Sequence, residues 1–432
     1  MEIISAKYVL TMNDGEIIED GALAIELDKI ERVGKKEELQ KAYPDANHKD
    51  YPDCVLMPGL INSHVHLELT ERMAVRDLSL SEEMTPPDYV EWLINSLEYV
   101  KEAPKDELIS RIQNGTSELI TSGHTCVGNM CSFEGAINIL GEMGIRSVTF
   151  LQIFTGANVP AKDMFETAIG IAERQLDIST NLTNVGLGPY APYLLSRQLL
   201  KILSTHAKGS EIPIQTHASE SFAEMELFYN SQGPLMTELF PSVGWLGDPP
   251  PANYKTPIAY LNDIGFLESQ PSIVGCIHLS DEDYRSLARN MVRVIYCPRN
   301  NHIMQHGKLP FNKLKENGIP MALGSNYAVG PLGNSLWEEM RMALRTGANQ
   351  PPSAKELLTM ATIGGARALR LDHLTGSLNE GKCADYIVVH APQINNIDEI
   401  WSKLIINTKA HLVKEVIVNG QVLKASSTPT NE

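Results

Sequence analysis

The chain has 432 residues, 43% hydrophobic and 21% charged, enough apolar content to bury one large core or two ordinary ones. Its formal charge of -17, from 36 Lys+Arg against 53 Asp+Glu, excludes a phosphate-neutralising surface, so neither nucleic acid nor an anionic membrane is an expected partner. The start MEIISAKYVL has no signal-peptide pattern, no run approaches the roughly 18 apolar residues of a spanning helix, and the six Cys form no CxxC pair; a cytoplasmic, reduced protein is expected.

Residues 1–57 alternate short β-rich runs (KYVLTM, ALAIEL, KIERVG) with turns, Asn13-Asp14-Gly15 being a hairpin signal, and predict a β meander. From 58 to 371 strand and helix patterns alternate. Apolar strands are predicted at 147–154, 185–192, 213–218, 272–279, 292–298 and 320–326, with amphipathic helices at 88–103, 164–176 and 281–291 between them. Roughly eight such units predict an α/β protein with a closed (β/α)₈ TIM-like barrel over 58–371. β character returns in ADYIVVHAP (384–392) and VKEVIVNGQVLKA (413–425), so 372–432 is expected to join 1–57 in a composite β-sandwich.

The chemistry begins at MPGLINSHVHLELT (57–70). Alternation along a strand aims His64 and His66 the same way, and two imidazoles at one strand end make half of a metal site; alone, an HxH pair is more often structural. PIQTHASES (213–221) adds His217 and, three residues later, Glu220, placed to carry a proton or, alternatively, to cap the following helix. The stretch 71–92 reads either as an ordinary loop or as a lid, with Arg72, Arg76, Tyr89 and Trp92 as pocket groups. His302 and His306 follow the strand end at YCPRNN, where loops face a barrel mouth, and are read as either substrate contacts or ordinary loop residues. His124 reads as a packing residue, and Cys276 and His278 as core or loop residues.

Taken together, PGLINSHVHLELT, GLGPYAPYLLS, THASES, YCPRNN, GKLPFNKLKENGIPMALGSNY and GSLNEGKCADYIVV resemble the amidohydrolase superfamily over almost the whole chain. The resemblance is to its chlorohydrolase and hydrolytic deaminase branch, and most to the aminofutalosine deaminase subgroup. It implies a divalent metal, zinc before iron or nickel, on His64, His66 and His217, with Glu220 shuttling protons. Three positions depart from the family pattern: Asn326 stands where an Asp is usual, Gly275 where a His orients water, and Tyr190 where a His contacts substrate. An amide cannot take a proton and is a poorer ligand than a carboxylate, so a weakly bound or absent metal is expected. Ordinary histidines predict that metal occupancy falls as pH drops through about 6.5. Two functions fit: a hydrolase of C–N bonds, deaminating a purine or nucleoside-like small molecule at an altered metal site, or an impaired homologue that binds a small ligand or serves as a partner subunit. A homodimer is the expected assembly.

Overall fold

The computed structural model describes residues 1–14, 16–70, 88–154, 160–245, 252–327, 333–346 and 351–425. The chain opens with β1 (Glu2–Leu10), β2 (Ile17–Glu26) and β3 (Lys29–Lys35), then β4 (Asn47–Pro58). β1, β2 and β3 pair antiparallel in sequence order, but β4 lies parallel to β1 after a helical connection, Lys36–Ala42. The expected meander therefore holds for three strands and not for the fourth, because a parallel partner needs a crossover that a tight turn cannot supply.

Two parallel sheets follow. β5 (Leu60–Val65), β6 (His124–Cys131), β7 (Arg146–Ile153) and β8 (Thr183–Pro189) form one in chain order. β9 (Gln215–Ala218), β10 (Ser272–Gly275), β11 (Arg293–Tyr296) and β12 (Met321–Leu323) form the other. Helices such as Lys105–Thr121, Ala161–Ile178 and Arg197–Ser210 connect them. The expected parallel α/β architecture is present, yet among the described residues its ladders form two four-stranded sheets and not one continuous eight-stranded cylinder. β9 to β12 are only 3–4 residues long and offer few rungs, so the outer strands meet at single bridges, Leu187 with Ile214 and Val65 with Asn326.

β13 (Tyr386–His390), β14 (Val413–Val418) and β15 (Gln421–Ala425) return to the N-terminal strands. β13 pairs with β4, giving one seven-stranded sheet in the order β15-β14-β13-β4-β1-β2-β3. Strands of both termini thus share a sheet as expected, while the described residues show this one sheet and not a two-sheet sandwich. Asn419-Gly420 turns β14 into β15, as its sequence predicts. The two layers are tied by a buried ion pair. Arg146, at the start of β7, donates from Nε to Asp385 Oδ2 (2.7 Å), from the other guanidinium arm to Oδ1 (3.1 Å), and to the Asn181 carbonyl (3.0 Å), while Asn419 N–H also reaches Oδ1 (2.7 Å).

β10 ends sooner than its apolar run predicts. Gly275 has φ +106° and Cys276 φ +54°, so the strand breaks there and His278 lies in a loop. A Cβ at Gly275 would stand 2.8 Å from Glu220 Cβ, so only glycine fits.

Candidate metal and proton-transfer site

The C-terminal ends of β5 and β9 bring together His64, His66 and His217, all buried, with one ring nitrogen of each within 4.8 Å of the others. Strand alternation delivers His64 and His66 to the same side, as predicted, and their rings meet edge to face at 5.0 Å. Asn326 arrives from just beyond β12 in the left-handed region (φ +57°), which Asn and Asp tolerate better than most residues.

The hydrogen bonds behind these rings fix what they can do. Gln215 donates its Nε2 to the Ser63 carbonyl (3.1 Å), which turns its Oε1 towards His64 Nδ1 at 2.6 Å. His217 Nδ1 faces the Tyr190 carbonyl at 2.9 Å. Both Nδ1 atoms must therefore carry the proton, and both Nε2 atoms are left as lone pairs. Those two Nε2 atoms lie 3.1 Å apart, and Asn326 Oδ1 lies 3.2 Å from that of His64. Three acceptors facing one another without a donor repel unless a cation sits among them. Nitrogens about 2.0–2.1 Å from a zinc ion stand about 3.3 Å apart in a tetrahedron, close to the His64–His217 spacing. His66 completes the set, since neither of its ring nitrogens meets a hydrogen-bond partner among the described residues, Gln152 and the Met130 backbone lying beside it without the required geometry. The donor set thus fits a divalent ion. The Asn326 carbonyl oxygen lies beside it, 3.2 Å from His64 Nε2.

Burial holds these imidazoles neutral. His64 is pushed down to about 3, by desolvation and then by His217, and His217 to about 4, by desolvation. Desolvation, then His64 and His217, holds His66 well below the usual histidine range.

Glu220 stands beside this set in the turn before the helix Phe222–Asn230. It is not the cap of that helix: Ser221 is, accepting from Glu224 N–H at 3.2 Å. Desolvation, then the neighbouring Glu224, raises Glu220 to about 8, so it is protonated at neutral pH. Its Oε1 accepts from Asn300 Nδ2 (3.2 Å) and from Asn326 Nδ2 (3.4 Å). Asn300 is placed by the short helix Pro298–Ile303, whose start is pinned where Arg299 N–H donates to buried Glu339 (2.8 Å).

An aromatic wall closes one side. Tyr190, just past β8, meets Tyr327 hydroxyl to hydroxyl at 2.6 Å; Tyr327 stacks on His66 at 4.8 Å; Trp92, from the helix Tyr89–Glu102, abuts Tyr327 at 4.0 Å. Tyr89 joins Tyr193 through their hydroxyls at 3.0 Å and packs against His306.

The structure thus gathers His64, His66, His217, Glu220, Asn326, Tyr190, Trp92 and His306. It does not gather His302, which is exposed. Gly275 borders Glu220 without a side chain. Arg72 and Arg76 lie outside the described residues. His124 is a packing residue, bonded to the Leu119 carbonyl and to Leu336 N–H. Sequence reasoning missed Gln215, Asn300, Tyr327 and Glu224; only Gln215, two residues before His217 and so on its face, carried a readable signal.

A family model described as "Amidohydrolase family" matches residues 55–423. The 5-methylthioadenosine/S-adenosylhomocysteine deaminase of Thermodesulfovibrio yellowstonii is 30% identical over 97% of this chain and 92% of its own. Two solved structures share the fold at 22% identity and a TM-score of 0.83, each over 98% of this chain: an adenosine deaminase from Xanthomonas campestris with bound zinc, 92% covered, and the aminofutalosine deaminase of Helicobacter pylori with methylthio-coformycin, 100% covered.

Proposed function

Because this chain belongs to the amidohydrolase family, we propose that it is a hydrolytic deaminase of an adenosine-type nucleoside, working at a metal site altered by Asn326. In that reaction water adds to the carbon bearing the exocyclic amine, the C–N bond breaks, and ammonia leaves with a carbonyl in its place. The reading treats the two parallel sheets as one barrel joined at its single bridges, with the site at its C-terminal mouth. The observation that carries it is the meeting of two lone-pair-bearing imidazoles, a third without a partner, and a buried, protonated carboxyl.

A divalent ion on His64, His66, His217 and the Asn326 oxygen would supply Lewis-acid activation of water. The chain's own residues do the rest. Glu220, buried beside the set, offers a proton to a ring nitrogen of the base and recovers one from the attacking water. Asn300 and Asn326 hold its Oε1 in place for both transfers. Tyr190, Tyr327 and Trp92 give a purine an aromatic face and keep water away. Asn326 itself cannot take a proton, which leaves Glu220 as acid and base in turn.

The same residue favours a second reading, a binding protein without turnover. Ammonia release separates the two. Protein purified without added metal is assayed for zinc, loaded, and given adenosine, 5-methylthioadenosine, S-adenosylhomocysteine and aminofutalosine. Deamination is expected for at least one, lost by a factor of about 10² or more in Glu220→Gln. Full loading with no ammonia from any of them leaves the binding reading.

A further inference from the structure

Glu220 Oε1 is a weakly served acceptor. Two amide donors reach it, from Asn300 and Asn326, both at the long end of hydrogen-bond distance. β10 offers nothing on its side, since Gly275 has no side chain and no room for one. The group that faces the gap comes from elsewhere: His306, beyond the helix Pro298–Ile303, holds its Nε2 3.9 Å from Glu220 Oε1. His306 is 4% exposed, and that Nε2 meets no hydrogen-bond partner among the described residues.

The backbone is bent to put it there. Gln305 at φ +53° and Gly307 at φ +113° flank the residue, and its own N–H is tied to the Asn301 carbonyl at 3.0 Å. A left-handed glutamine is a local cost that the surrounding fold must offset, and its effect is to turn an imidazole inward. The separation is also telling. It exceeds the about 2.7–3.2 Å of a direct bond and falls short of the roughly 5 Å that a bridging water spans, so a small inward shift closes the pair.

We propose that His306 is a positioning residue for Glu220, its Nε2–H serving as a further donor to the carboxyl group. Only the hydrogen bond forms; no proton passes to or from the imidazole. The kinetic consequence rests on the deaminase reading, while the contact itself does not. Tyr89, packed against the ring at 4.6 Å, holds His306 in register.

Two measurements test this. With ¹⁵N-labelled histidine, the His306 Nε2 resonance, identified by its loss in His306→Leu, is expected to be that of a protonated nitrogen and to move in Glu220→Gln. An unprotonated Nε2, or one indifferent to Glu220→Gln, overturns the contact whether or not the protein turns over. In kinetics on the deaminated nucleoside, His306→Leu is expected to lower kcat on the order of tenfold with KM within about threefold, and His306→Gln, which keeps an N–H donor, to recover most of it. Equal kcat for the Leu and Gln variants, at unchanged melting temperature and zinc content, overturns the positioning role. Absence of ammonia from wild-type protein strikes the deaminase reading alone and leaves the resonance to decide.

Discussion

Two of the buried polar clusters among the described residues are built on opposite terms. At the seam between β7 and the terminal sheet, all three guanidinium nitrogens of Arg146 have an acceptor, and Asp385 takes a further N–H from Asn419. At the mouth, His66, His306, Ser219, Asn300 and Asn301 all keep buried atoms without partners among the described residues, and two imidazole lone pairs confront each other. Folding alone accounts for the first arrangement, because every desolvated group is repaid locally. It cannot account for the second, where unpaired groups cost about 1–3 kcal/mol each. That residue of unmet bonding is what a ligand and an ion would satisfy.

The contrast can be broken at the seam first. Asp385→Ala leaves a buried guanidinium without its counter-charge, and the expected loss is about 3–5 kcal/mol in chemical denaturation. The fraction that folds should keep its zinc affinity, since no atom of the mouth has changed. At the mouth the expected pattern reverses. Gln215→Leu frees His64 to place its proton on Nε2, so zinc affinity, measured by competition with a chelator, should fall about 10–100-fold. Metal-free stability should change by much less than at the seam.

How much of this could be read beforehand follows the same division. His64, His66, His217 and Glu220 were legible because their spacing along a strand end and its turn is itself the geometry. Tyr327 was not: it gains its meaning from Tyr190, 137 residues away, and no local pattern links them. β6 was overlooked for a different reason. HTCVGNMC is buried on both faces, so it lacks the polar alternation that marks a half-exposed strand. The 272–279 run misled in the opposite direction, its apolar content continuing past the point where positive φ at Gly275 and Cys276 ends the ladder. The hairpin and terminal strands were read well, yet the parallel pairing of β4 with β1 depends on a crossover that strand composition does not report.

Asn326→Asp sharpens the comparison from the ligand side. The backbone at φ +57° accepts Asp as readily as Asn, and an anion joins the lone pairs already present. Zinc affinity is expected to rise about tenfold, while the metal-free protein loses stability because a buried charge lacks a partner. Adding a histidine at Gly275 should not help, since its Cβ would collide with Glu220. A double variant that folds and binds as tightly as Asn326→Asp alone would contradict that packing.

The smallest expected effect is the response of metal binding to acid, and its smallness is the point. Three histidines at the ordinary value of about 6.5 would each be roughly 90% protonated at pH 5.5, and competition from three protons would weaken zinc binding by about 10³-fold relative to pH 7.5. Burial changes this. His64 and His217 are pushed down to about 3 and about 4, and His66 lies well below the ordinary value, so none of the three gains a proton in that window. The sign is that of a depressed base: the neutral, metal-ready form persists as pH falls, and competition begins only near the lowered values. The loss of occupancy through pH 6.5 that composition alone suggests is therefore replaced by an affinity constant within about threefold from pH 7.5 to 5.5. Chelator competition at those two pH values, corrected for protonation of the chelator, measures it. A hundredfold fall would mean that water reaches the rings, and the mouth would then owe its unpaired atoms to solvent and not to a site kept dry for an ion.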